Sequence, residues 1–82
     1  MQHIELEYFG NQISHSEIVD WLQQITPLIT KQTVTIHRSK VKDHAIVMLN
    51  MEVDRVTADV LAKHINHHLW QGHRIHAERL LY

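Results

Sequence analysis

From position 45 to position 53 the chain reads AIVMLNMEV, with Ala45, Val47, Leu49, Met51 and Val53 at every odd place. Strand side chains alternate between the two faces of a sheet, so five apolar residues at a period of two predict a strand with one buried face. A helix would scatter the same five around its circumference. The rest of the chain must supply whatever that face packs against.

Three more segments share the two-residue period. In HIELEYF, Ile4, Leu6 and Tyr8 are expected to point inward, with Glu5, Glu7 and Phe9 outward. In TVTIH, Val34 and Ile36 point inward, and Thr33, Thr35 and His37 outward. If the hairpin pairs Ile36 with Ala45, Val34 meets Val47 and His37 meets His44, and the parity agrees without a bulge. After Gly72, which breaks the preceding element, a last strand places Ile75 and Ala77 inward.

Two helices fit between the strands. Ser14 and Glu17 form an S-x-x-E capping box, and Ile18, Trp21, Leu22 and Ile25 gather on one face of a helix over about 15–26, which Pro27 stops. Thr57 is expected to cap a second helix whose stripe is Ala58, Leu61, Ala62, Ile65 and Leu69. The resulting order βαββαβ predicts an α+β fold: a ferredoxin-like sandwich with a four-stranded antiparallel sheet in the order 4-1-3-2 and two helices on one face. The other face is open. Residues 1–82 are expected to form a single domain.

Composition narrows the function. There is no cysteine, so disulfides and thiolate chemistry are out, and any metal must be held by histidine and carboxylate. The net charge of −1 lacks the basic excess of a purely electrostatic nucleic-acid binder. No apolar run approaches the roughly 18–20 residues of a membrane span, and the first ten residues do not read as a signal peptide, so a soluble, cytoplasmic protein without a membrane partner is expected. Catalysis is not expected: there is no glycine-rich phosphate loop or nucleophile elbow, and Ser14, Ser16 and Ser39 suit cap, first-turn and turn positions.

KDHAIVML lies where the RNA recognition motif family carries its third-strand signature, matching at Lys42, Ala45 and Val47, and WQGHRIHAE looks like that family's entry into strand four. The chain resembles this family over nearly its whole length. The resemblance implies a non-catalytic module that binds single-stranded RNA, with His44 stacking on a base and Arg38, Lys40 and Lys42 on phosphates. At the family's aromatic positions this chain has His44, Ile46 and Glu5, with Glu7 beside it. Histidine can stack, isoleucine cannot, and carboxylates repel phosphate. EIVDWLQQ, EVD and IHAE are in turn similar to the cytoplasmic domain of cation diffusion facilitators, which implies pairing into dimers and divalent-metal binding, with His76 and Glu78 at the H-x-E position.

Nine histidines offer two metal arrangements. His64 and His68, four apart, would stand side by side on the second helix and give two ligands for zinc, nickel or copper. Without a glutamate after His64 they do not make the H-E-x-x-H protease motif. On the open sheet face, Glu5, His37, His44, His76 and Glu78 would form a band of imidazoles and carboxylates suited to a divalent metal. The ordinary alternative is a polar sheet surface with cross-strand charge pairs. Protonating every histidine would carry the formal charge from −1 to +8. A third expectation is a protein-interaction or homodimer surface, through Phe9, Ile46, Met48 and Leu80 on the open face or Val19, Val56 and Val60 on the helices.

Overall fold

The computed structural model describes residues 1–10, 12–38 and 44–81. Along the chain run β1 (Gln2–Gly10), α1 (His15–Ile25), β2 (Val34–Arg38), β3 (His44–Met51), α2 (Arg55–Ile65), β4 (Leu69–Trp70), β5 (His73–Arg74) and β6 (His76–Arg79). β2, β3, β1 and β6 form, in that order, a four-stranded antiparallel sheet, and β4 and β5 form a separate two-stranded ribbon. Over the described residues the fold is mixed α/β with two helices, and β4 and β5 are short strands that the periodicity did not predict.

β3 carries the apolar alternation that begins at Ala45. Ala45, Val47, Leu49 and Met51 are buried, and Val53 packs partly against them. Ile4, Leu6, Val34, Ile75 and Ala77 join the same core as Ile18 and Leu22 of α1 and Ala58, Leu61, Ala62 and Ile65 of α2. One sheet face is thus covered by the apolar stripes of both helices. Val19, expected on an exposed helix side, is buried in α1, whereas Val56 and Val60 of α2 are exposed.

The helix starts follow local chemistry. The Ser14 hydroxyl accepts from the Glu17 amide, which caps α1, and donates to the Glu17 carboxylate at 2.8 Å, so the carboxylate is tied to the capping hydroxyl. The second helix begins earlier than Thr57: Asp54 is its N-cap, accepting the Thr57 amide at 2.7 Å. Accepting from Thr57 holds the Asp54 carboxyl below its ordinary range. α2 ends at Ile65, so Leu69 is not part of its stripe and lies exposed in β4. Gln71 and Gly72 both have positive φ and close the β4–β5 hairpin, the backbone shape a two-residue primed turn requires. Gly72 therefore makes a turn inside this ribbon, and β6 starts four residues later.

Two departures change which side chains meet. The β2–β3 register pairs Ile36 with Val47, Val34 with Leu49 and His37 with Ile46, two residues away from the expected pairing. A shift of two keeps every apolar side chain on its face, so a two-residue pattern cannot distinguish the two registers. In β1 the register against β3 slips by one between Leu6 and Phe9, a β-bulge, with Tyr8 at φ 80°. The bulge reverses the expected parity. Phe9 is fully buried, and Tyr8 is 58% exposed on the opposite face. Phe9 closes a cluster with Trp21 and Trp70, its ring centroid 5.8 Å from each, and the two indoles are 5.5 Å apart. Edge-on contacts of this kind contribute about 0.5–1.5 kcal/mol each beyond burial.

Candidate functional site

The sheet face turned away from the helices brings together histidine, glutamate and tyrosine side chains from all four strands. Strand pairing arranges it in rows. One row runs Thr35, Met48, Glu5, Glu78 from β2 to β6. The next runs His37, Ile46, then Glu7 with the bulged Tyr8, then His76. Beyond these, Asn50 faces His3 at one end and His44 faces Gly10 at the other.

The β1–β6 half is acidic. The His76 imidazole lies 3.7 Å from the Glu78 carboxylate, and the Tyr8 ring leans toward His76 with centroids 6.4 Å apart. Glu5 is held above the ordinary carboxylate range, first by a hydrogen bond with Glu7, then by partial burial and the charges of Glu7 and Glu78; His76 pulls the other way. Three carboxylates on neighbouring positions thus crowd one another, and one imidazole offsets them only in part.

The β2–β3 half lacks carboxylates among the described residues. It presents His37, Thr35 and His44 around Ile46 and Met48. At its end, His3 Nδ1 donates to the Asn50 side-chain oxygen at 2.7 Å, and the Asn50 amide donates to the Thr35 hydroxyl at 3.2 Å, tying β1, β3 and β2 together. The His3 Nδ1 is thereby occupied in holding the sheet.

The expected metal ligands do not converge. His37 lies on one edge strand and His76 on the other; three strand spacings of about 4.8 Å put them about 14 Å apart, too far to share an ion. His37 and His44 are diagonal neighbours instead of opposite partners, because of the two-residue register shift. Among the described residues, no group of three or more histidine, aspartate or glutamate side chains is arranged to hold a metal ion. His64 and His68 do meet, ring centroids 5.6 Å apart, but by another route: His68 lies beyond the end of α2, and His67 at φ 71° turns the chain back.

The residues expected to hold RNA are dispersed too. His44 and Ile46 are half-buried on the open face. Arg38 follows the inward parity of β2 and donates from its guanidinium to the Ile13 carbonyl. Lys40 and Lys42 lie outside the described residues. A depression of about 440 Å³ lies at the Asn50 end of the sheet, lined in part by Met1, Leu28, Gln32, Asn50 and Val53, with Glu52 as its one charged side chain among the described residues.

The exposed Tyr8 is the feature sequence reasoning missed. A hint was present: in EYFG two adjacent aromatics cannot both follow the alternation. Fold and face together define a small α/β domain whose sheet face away from the helices is apolar at Ile46, Met48 and Tyr8 and acidic across the rest of β1 and β6. No family model, curated protein or solved structure matches the chain. Among the described residues, no helix is long and apolar enough to cross a membrane.

Proposed function

We propose that this chain is a non-catalytic, self-associating binding module of ferredoxin-like form, and that its open sheet face is the contact surface. In this reading β1, β2, β3 and β6 are the four strands of the split βαβ arrangement, and the β4–β5 ribbon is an insertion before the last of them. The observation that carries the proposal is the apolar patch that Ile46, Met48 and Tyr8 form on this face. Tyr8, 58% exposed at a positive φ that tyrosine rarely adopts, stands in the same row as the half-buried Ile46, with Met48 next to it. Tyrosine offers a large, stiff contact surface at low entropic cost, and aromatic and methionine side chains are enriched where proteins meet.

RNA binding has weaker support on this face. Glu5, Glu7 and Glu78 occupy the half where a phosphate chain would run, and counterion release needs cations there. Among the described residues, metal binding lacks a convergent ligand set.

Sedimentation equilibrium from low micromolar to about millimolar protein tests the proposal. Association that is lost in Ile46→Asp and retained in Val60→Asp, on the exposed side of α2, supports it. A monomer at every concentration overturns it. So does association that Val60→Asp abolishes and Ile46→Asp spares, or sedimentation that changes only when mixed single-stranded RNA is added.

A further inference from the structure

The two edges of the sheet are closed by different means, and the difference singles out one histidine. In an antiparallel ladder alternate residues turn both backbone groups toward the neighbouring strand, and the residues between them turn theirs away. The Asn50 amide donates to the Thr33 carbonyl at 2.8 Å, so in the β2–β3 register Thr33, Thr35 and His37 face β3, while Val34 and Ile36 present N–H and C=O to the outside. At the other edge the Leu80 amide donates to the His3 carbonyl at 2.8 Å, so Ile75 and Ala77 are the residues whose backbone groups face away from β1.

The β6 edge is sealed by the segment that follows α2. The Ile75 amide donates to the His68 carbonyl and the Ile75 carbonyl accepts from the His67 amide, each at 2.9 Å. The Ala77 amide donates to the Asn66 side-chain oxygen, also at 2.9 Å. A further strand finds those positions taken. β2, the other edge strand, has no such cover: among the described residues no backbone group pairs with the outward side of Val34 or Ile36. One side chain does. The His15 imidazole donates from Nε2 to the Val34 carbonyl at 2.9 Å. His15 is the first residue of α1, directly after the Ser14 cap, so the start of the helix sets the reach of the ring.

We infer that this hydrogen bond is an autoinhibitory contact: His15 occupies a position that an added strand would take on β2, and so keeps a second copy of the chain from extending the sheet through this edge. An unpaired strand edge is a template for another chain, and native proteins block it. Two β2 strands set antiparallel about Ile36 would exchange a pair of backbone bonds there, and the Val34 carbonyl is the next outward acceptor along the strand. With that acceptor filled, the outward groups of Ile36 stand alone beside it, too few to hold a strand. The position requires a donor of the right reach, which an imidazole N–H supplies whether or not the ring is charged. This edge is distinct from the open sheet face, so the two surfaces are tested separately.

The test uses chains that all carry Ile46→Asp, which removes association through the open face. His15→Ala deletes the guarding donor, and His15→Gln keeps an amide nitrogen that can reach the same carbonyl. Sedimentation velocity up to about millimolar protein, far-UV circular dichroism and hydrogen exchange of the Ile36 amide are measured on each. The expected result is that His15→Ala stays folded but associates, at least doubling its weight-average mass, with the Ile36 amide protected at least tenfold more at high concentration than at low. His15→Gln and the chain with His15 intact remain monomers with a concentration-independent Ile36 amide. A folded, monomeric His15→Ala overturns the inference. So does association of His15→Gln to the same extent, or association of His15→Ala that leaves the Ile36 amide unprotected. Loss of the folded spectrum in His15→Ala also overturns it, because His15 would then hold the fold and not guard the edge.

Discussion

Truncating Phe9 and Tyr8 in turn is the sharpest test of the bulge that puts Tyr8 on the open face. Phe9 is fully buried against Trp21 and Trp70. Removing a buried phenylalanine side chain costs about 3–5 kcal/mol, and loss of two ring contacts puts Phe9→Ala toward the upper end. A domain of 82 residues has a total stability of about 4–12 kcal/mol at 0.05–0.15 kcal/mol per residue, so Phe9→Ala consumes much of it. Phe9→Leu, which keeps most of the volume, gives a folded variant for comparison. Tyr8→Ala removes a ring that is 58% exposed and should cost less than about 1 kcal/mol. Tyr8→Gly should be about 1 kcal/mol more stable than Tyr8→Ala, because φ of 80° strains any residue with a Cβ. Urea unfolding followed by far-UV circular dichroism and tryptophan fluorescence measures all four, with the two probes checking two-state behaviour. If Tyr8→Ala proved as costly as Phe9→Ala, or Phe9→Ala came within 1 kcal/mol of the parent, strict alternation would run through β1 and the bulge would be refuted.

Two predictions concern pH. Glu5 has a raised folded-state value, so the stability it contributes is fully present in acid, below the ordinary glutamate value of about 4.3, and is lost as pH rises through the raised value. Glu5→Gln should therefore stabilise the chain by about 0.5 kcal/mol at pH 7, the scale of one screened cross-strand repulsion, with the gain shrinking toward pH 4 and in high salt. An equal gain at pH 7 and pH 4 in urea titrations would contradict the crowding. Asp54 has the opposite sign. Its lowered value contributes stability above the ordinary aspartate range of about 3.9, lost as pH falls through the folded-state value. Thermal unfolding between pH 6 and pH 2.5 should show an acid loss that Asp54→Ser, which keeps a capping oxygen, reduces; an unchanged acid profile would mean that this cap does not titrate with folding.

Much of the local structure was legible. The β3 row, the N-cap at Ser14 and the α2 stripe through Ile65 each depend on neighbours within a few residues, so spacing alone reveals them. The second cap was misplaced from Asp54 to Thr57 because both residue types cap helices, and only the observed hydrogen bond distinguishes them. The hairpin at Gln71–Gly72 is not legible in the sequence, since a lone glycine signals a turn without specifying what it joins.

Which residues share the open face is another matter. The amino-acid order by itself determined the parity of each uninterrupted strand, because a period of two is a local property of the backbone. It did not determine the offset between β2 and β3, since any even shift preserves parity, and that offset separates His37 from a position opposite His44. Nor did it determine the bulge, which turns Phe9 toward two indoles 12 and 61 positions along the chain and turns Tyr8 outward. Those choices depend on how distant side chains fill one shared volume, and only the assembled core sets the shape of that volume.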